Sequence, residues 1–312
     1  MDRRGFIKGL GWGLAAAWVW GPWAWPPHSL AAGPELRLAL LADAHLKDGD
    51  DRRPEALALA RAVAELRALA SPPDLVLLAG DLAHGGRPEA LDLGKEILAD
   101  LPAPVWAVRG EGDYGRHGAA AWARRFGEPR FSRTVQGVHL VGLNTTLAAT
   151  RQGPVFEIGA PQRRWLSEEL AGLDPAAPLV IVSHAPLARL FQPWQQWTAD
   201  AGEIAPLLAR FKHVLCLHGH VHGVGVGDQG AGARNADDEG HGSSAWSLTG
   251  NRNQKTENPL HLSLPATAWP QPQALQGTPA VVRPGQGPHG CGWTSVSIRD
   301  RAWQIHPYLW QA

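Results

Sequence analysis

Cysteine, methionine and tyrosine are scarce in this sequence, with two Cys, one Met and two Tyr among 312 residues. Two cysteines close at most one bridge, so a small scaffold held together by disulfides is excluded. Excess charge is missing as well, since 29 basic residues face 29 acidic ones. Without a basic surplus there is no electrostatic case for nucleic acid or an anionic bilayer, and neither is expected as a partner. No internal repeat is evident, and no linker divides the chain. The length left after any leader is enough for one large core or two small ones.

The opening Arg3-Arg4-Gly5-Phe6-Ile7-Lys8 resembles the twin-arginine export signal of bacteria. An uncharged run rich in Ala, Gly and Trp follows from Gly9 to Trp25, and Ser29-Leu30-Ala31 offers the small residues that a signal peptidase needs. Pro22, Pro26 and Pro27 disfavour a continuous spanning helix. Residues 1–31 are therefore expected to be a removable signal that engages the twin-arginine export machinery and sends the protein to the periplasm or beyond the cell; uncleaved, they would act as a membrane anchor. Cleavage removes Asp2, Arg3, Arg4 and Lys8 and leaves 26 basic against 28 acidic residues. What resemblance to this signal implies is a protein folded, and usually loaded with its cofactor, before it crosses the membrane. Folding in a reducing compartment disfavours a Cys216–Cys291 bridge, and Cys216 reads as a small core hydrophobe.

Strand and helix signals alternate through the first two thirds of the remaining chain. Apolar runs at Leu36–Leu41, Asp74–Ala79, Val105–Val108, Val138–Leu143 and Leu179–Val182 read as buried strands, as does the run ending at Leu217. Between them, Pro54 to Ala70, Pro88 to Leu98 and Pro161 to Leu170 repeat apolar residues at helical spacing, the first of them opening on a proline where a helix favours its first residue. Such alternation predicts an α/β fold with helices packed on sheet faces. Polar clusters fall just after the strands: Asp43 and His45, Asp81, Glu111 and Asp113, His184, then His220 and His222. In open α/β sheets that edge is where sites are built. An Asp after a strand is commonly a turn former, but five strand ends delivering Asp, Glu and His to one rim exceed what solubility needs. Around Gly219, the alternation of His218, His220 and His222 has the period of an extended segment, which would let His220 and His222 leave the same face.

These blocks, Asp43-Ala44-His45, Gly80-Asp81, Gly110-Glu111-Gly112-Asp113, Ser183-His184-Ala185-Pro186 and Gly219-His220-Val221-His222, resemble the signature of the calcineurin-like metallophosphoesterases over residues 35 to 225. The resemblance implies a four-layer α-β-β-α sandwich with two metal ions at its rim. One ion would be held by Asp43, His45, Asp81 and His222, the other by Asp81, Glu111, His184 and His220. Imidazole and carboxylate together suit Fe, Mn or Zn as divalent or mixed-valence ions, and do not choose among them. A water activated there would attack the phosphorus of a small phosphate mono- or diester in line, with Asp81 central to the chemistry.

One block departs from the family pattern. Glu111 stands where the family has Asn, and Gly112 where it has the His that protonates the leaving oxygen or steadies the transition state. Losing such a group typically costs about 10² to 10⁴ in rate. Candidate substitutes are His84, His117 and His289; His117 is favoured for its nearness to the gap, while Asp113 would orient a water. The alternative is a metal-holding binding or sensing module with weak turnover or none. His218 lies outside the pattern and is expected to support the site or pack in its strand. Residues 223–258, rich in Gly, Asp, Asn and Ser, read as a flexible insertion that either closes over the site or has no role. Strand signals return at Leu260–Leu264, Thr294–Ile298 and Trp303–Tyr308 and are expected to complete the second sheet of a domain spanning 35–312. If the loop before Trp293 folds back over the rim, Trp293, His289 and Trp269 would shape the pocket, although core suits Trp269 better.

Overall fold

The computed structural model describes residues 34–115, 118–188, 197–227, 234–235, 246–248, 259–268 and 290–310. These all lie in one compact unit, Gly33–Ala312. The expected signal segment lies outside the described residues. Strand β1 (Leu36–Leu41) pairs in parallel with β2 (Leu75–Ala79), and β2 in parallel with β3 (Val105–Val108). Helices α1 (Pro54–Ala68) and α2 (Pro88–Leu98) make the two crossovers, and α3 (Gly118–Phe126) follows β3. Each of the first two helices carries proline in its first turn, where the missing N–H has no intrahelical partner to lose.

A second sheet takes over with β4 (Phe131–Val135) and β5 (Val138–Leu143), an antiparallel hairpin. A separate two-stranded ribbon, β6 (Thr146–Thr150) and β7 (Gly153–Glu157), stands outside both large sheets. After α4 (Ala160–Ala171), strand β8 (Leu179–Ser183) runs parallel to β5, and after the short α5 (Ala205–Leu208), β9 (Val214–His218) runs parallel to β8. Short strands β10 (Gly225–Gly227), β11 (Arg234–Asn235) and β12 (Trp246–Leu248) lie in the segment expected to be structureless, attached to sheet edges. The chain ends with β13 (Leu260–Ser263), β14 (Gly292–Arg299) and β15 (Ala302–Leu309).

The six-stranded sheet runs β12-β15-β14-β1-β2-β3 and the seven-stranded sheet β11-β10-β13-β9-β8-β5-β4. This corrects one expectation: only β13 joins the second sheet, beside β9, whereas β14 and β15 extend the first. The cause is an open edge on β1, whose backbone groups are satisfied by β14 in antiparallel register from Leu36 opposite Ile298 to Leu40 opposite Thr294.

Strand periodicity sorts the core into three layers. Leu38 and Leu40 of β1, Leu75 and Leu77 of β2, Val180 and Val182 of β8 and Leu215 and Leu217 of β9 meet between the sheets. Their neighbours Leu41, Val76 and Leu78 face α1, α2 and α3, where Leu59, Leu66 and Trp122 cover them. On the far side, Val141, Ile181 and Cys216 lie under Leu166 and Leu170 of α4. The four layers α-β-β-α follow directly. Trp165 of α4 is only partly buried, and its ring carries the Arg130 guanidinium 5.0 Å from its centroid. Trp293 belongs to the helix-facing core of the first sheet, stacked on Tyr308 and bonded through Nε1 to Glu65, so it does not shape the pocket; Trp269 and His289 lie outside the described residues.

Candidate metal centre

The turns after β1, β2 and β9 leave their strands through unusual backbone. Asp43, His45, Asp81, His220 and His222 all have positive φ, between 51° and 64°. For residues with a Cβ this conformation costs about 1 to 3 kcal/mol apiece and persists only where surrounding contacts impose it. Here the contacts are backbone ties between neighbouring turns: Asp43 N–H to Gly80 O (3.0 Å), His45 N–H to Asp81 O (2.9 Å) and His84 N–H to Leu46 O (2.8 Å). His220 and His222 are therefore not on the face of an extended strand, and their alternation has another effect. The left-handed turn after β9 sends the two rings to different clusters.

The first cluster gathers Asp43, His45 and His222. Asp43 Oδ1 is 3.1 Å from His222 Nε2, and the Nε2 atoms of His45 and His222 converge to 3.2 Å. The second gathers Glu111, His184 and His220, with Glu111 Oε2 2.7 Å from His184 Nε2 and Oε1 2.8 Å from His220 Nδ1. Asp81 stands between them, Oδ2 lying 3.6 Å from His45 Nε2 and Oδ1 3.6 Å from His184 Nε2. One carboxylate thus turns an oxygen to each group. Every residue expected as a ligand is in the assembly, and all but Glu111 are almost wholly buried.

Glycines make this crowding feasible. A Cβ on Gly219 would sit 2.6 Å from Ala79 O and 3.0 Å from Asp43 Oδ2. His184 donates Nδ1–H to Ala79 O (2.8 Å), which leaves its Nε2 lone pair facing inward as a ligand must. Both Asp43 oxygens also receive the His220 backbone N–H, at 3.1 and 3.2 Å.

The electrostatics of the assembly are unbalanced without cations. Burial and the charge on Glu111 push Asp81 well above the usual carboxylate range. Burial holds His45 down to about 3 despite Asp43 beside it. For His184 burial works downward, yet the charges on Asp81 and Glu111 override it and raise the imidazole well above its ordinary value. His184 Nε2 and Glu111 Oε2 are buried and close but not aligned to hydrogen-bond each other. Imidazole nitrogens, neutral once a cation takes the place of a proton, and crowded carboxylate oxygens directed at common points are the donor set that divalent cations satisfy, and the residues fit two ions.

Other expected residues take different places. Asp113 is buried with Oδ1 accepting from Ala83 N–H (2.8 Å) and Oδ2 from Gly110 N–H (3.0 Å), and burial pushes it up to about 7. It braces the loop from inside rather than facing a water. His84 is exposed on the rim, its ring centroid 6.4 Å from that of His45; His117 lies outside the described residues. Gly112 meets the site through its backbone N–H, which donates to Asp81 Oδ1 at 2.6 Å. His218 supports the site from behind: Ser183 Oγ–H donates to Ala185 O, so Ser183 Oγ accepts from His218 Nδ1–H (3.0 Å). His218 Nε2 then accepts from His261 Nδ1–H (2.9 Å), and burial keeps His218 well below its ordinary value and neutral.

Two features escaped sequence reasoning. Arg109, directly before Gly110, is buried, its Nε and Nη1 without hydrogen-bond partners among the described residues and its guanidinium 3.8 Å from the Tyr114 ring centroid. A basic residue at a strand end beside the altered block was the available signal. Phe156, on the ribbon, lays its ring edge against His220 at 4.9 Å between centroids; no local pattern announces that contact.

Two carboxylate–imidazole clusters that could each hold a metal ion, with Asp81 between them, stand on the rim of an α-β-β-α sandwich. Residues 36–224 match the family described as calcineurin-like phosphoesterase, and the chain belongs to that family. Among characterised relatives, it is 28% identical over 154 residues to a probable cyclic nucleotide phosphodiesterase of Synechococcus, covering 48% of this chain and 58% of the relative. It is 29% identical over 171 residues to a cAMP/cGMP dual specificity phosphodiesterase of Mycobacterium tuberculosis, covering 49% and 51%. The matched part thus spans between half and two thirds of these relatives. A dimetal phosphatase from Danio rerio shares the fold, with TM-score 0.57 at 13% identity over 88% of this chain and 99% of that one.

Proposed function

We propose that this protein is a dimetal phosphoesterase that hydrolyses a small phosphodiester. The observation that carries the reading is Asp81, which presents one oxygen to the Asp43–His45–His222 group and the other to the Glu111–His184–His220 group. Diester chemistry is supported by the names of the Synechococcus and Mycobacterium relatives, both phosphodiesterases. These seven side chains would hold two cations, Fe, Mn or Zn in divalent or mixed-valence pairs, which would supply Lewis acidity toward phosphoryl oxygens and activation of a water near neutral pH.

The chain's own residues set the limits of that chemistry. Glu111 brings a third carboxylate to the ligand set beside Asp43 and Asp81, which favours cation retention over Lewis acidity at the second position. Gly112 has no proton to give, so a leaving oxygen of low basicity is handled best. We assign the missing proton to His117 from its place in the sequence, with His84 on the rim as the competing imidazole. Activity at the periplasmic side or outside the cell, reached through the twin-arginine machinery with residues 1–31 removed, completes the proposal.

The test is hydrolysis of bis(4-nitrophenyl) phosphate with added Mn²⁺, expected to vanish with EDTA and with Asp81→Asn. A diester with an alkyl leaving group should separate His117→Ala from His84→Ala, since only the true donor is needed more as the leaving oxygen becomes more basic. Stoichiometric metal without turnover on any ester would instead establish the binding-module reading that Gly112 favours. N-terminal sequencing of the exported protein, expected to begin after Ala31, and its retention on replacing Arg3 and Arg4 by Lys test the export route.

A further inference from the structure

The β6–β7 ribbon belongs to neither large sheet, yet it is anchored at the second cluster. Ala185, next to His184, donates its backbone N–H to Thr145 Oγ1 (3.1 Å), immediately before the ribbon. Phe156 O accepts from Ala199 N–H (2.7 Å), and Asp200 accepts from the N–H groups of Ile158 (2.8 Å) and Gly159 (2.9 Å) where the ribbon ends. Its position relative to His220 is therefore fixed at both ends.

Register decides which residues share a face. Leu147 lies opposite Phe156 and Ala149 opposite Pro154, so these four side chains leave one face, the one whose Phe156 rests on His220. That face is apolar throughout. Phe156 is fully buried against His220, while Leu147, paired opposite it, is 40% exposed, one of few large hydrophobics so exposed among the described residues. The exposed leucine stands directly beside an aromatic packed on a metal-ligand histidine, so this face offers apolar surface next to the centre.

We infer that this face is the specificity wall of the site, taking the apolar or aromatic group esterified to the phosphoryl group, and so favouring aryl or long alkyl esters over hydrophilic ones such as glycerol esters. The inference rests on the phosphoesterase reading, but its test does not require turnover. Binding of phenylphosphonate and methylphosphonate to the full-length Mn²⁺-loaded protein is measured by calorimetry, for the parent, Leu147→Asp and Val155→Ser. Val155 lies on the ribbon's other face, paired with Ala148.

Phenylphosphonate is expected to bind roughly tenfold more tightly than methylphosphonate, the effect of withdrawing a ring from water onto a partly exposed surface. Leu147→Asp should bring the ratio to about twofold or less, and Val155→Ser should leave it. Methylphosphonate affinity unchanged in Leu147→Asp shows that the variant is folded and its centre intact. Equal binding of the two phosphonates by the parent, or a preference surviving Leu147→Asp, overturns the wall. Failure of both to bind overturns the phosphoesterase reading, and the wall with it.

Discussion

Restoring the family's histidine at position 112 is expected to fail, and the reason is spatial. A Cβ on Gly112 would lie 2.9 Å from Ala83 O and 3.0 Å from both Cγ and Oδ1 of Asp81. Ordinary contact needs several tenths of an ångström more, and the obstacles are a backbone carbonyl and a buried carboxylate rather than the end of a flexible side chain. Relief must come from moving the loop, which also stretches the 2.6 Å bond from Gly112 N–H to Asp81 Oδ1. Overpacking of this kind costs about 1 to 3 kcal/mol, or a fall of roughly 2 to 5 °C in Tm for a chain of this size. Because Asp81 faces both clusters, the same movement should weaken cation binding. Gly112→Ala isolates the Cβ and should show most of the loss; Gly112→His should show it without the gain of about 10² to 10⁴ that a working general acid brings. Thermal unfolding with and without Mn²⁺, together with kcat/KM on an alkyl-leaving diester, measures both. A Gly112→His protein with the parental Tm and a hundredfold higher kcat/KM would refute the argument, showing that the loop has room for the imidazole.

Three further outcomes are expected. Cation removal by EDTA should lower Tm, and Mn²⁺ at a hundred times its Kd should recover about 2.7 kcal/mol; a Tm indifferent to metal would mean that the clusters hold none. Glu65 accepts from Trp293 Nε1 (2.9 Å), Trp310 Nε1 (2.9 Å) and Arg61 Nε (2.9 Å), tying the last strands to α1. Burial alone would raise this carboxyl, but those donors outweigh it and hold it below its usual 4.5. A depressed folded-state value gives stability that is present above 4.5 and fades as pH falls through the folded value, so Glu65→Gln should cost about 1 to 3 kcal/mol at pH 7 and progressively less below 4.5. Urea unfolding at pH 7 and at pH 3.5 checks this, and a constant difference would exclude the charge as the cause. Cys216 and Cys291 are both free, and burial pushes Cys291 up to about 11 and Cys216 further. Thiol titration under non-reducing conditions should count two groups in denaturant and almost none at pH 8 in the native protein.

Much of the fold was legible because each layer imposes its own period. Two-residue alternation separates Leu38 and Leu40 from Leu41, and helical spacing brings Leu59, Val63 and Leu66 to one side of α1. The ligand-type residues were legible because short turns at strand ends place Asp43, Asp81, Glu111 and His184 where the next element begins. The choice of edge for β14 and β15 was not, since their alternation suits either sheet and only the unpaired side of β1 selects one. Asp113 reads as an acid near a site, but backbone N–H groups of two separate loops occupy both of its oxygens.

By itself, then, the order of residues determined the layers, the strand ends and the set of side chains able to hold cations, because these depend on local period and on turns of a few residues. Tertiary structure decided how that set divides. His220 and His222 are two residues apart, yet the left-handed backbone after Gly219 turns one toward Glu111 and the other toward Asp43. It also decided that Gly112 is pressed onto Asp81 and that Phe156 leans on His220. Those contacts join segments 31 and 64 positions apart, and approach over such a distance is set by the packing of whole sheets, to which no local pattern of residues refers.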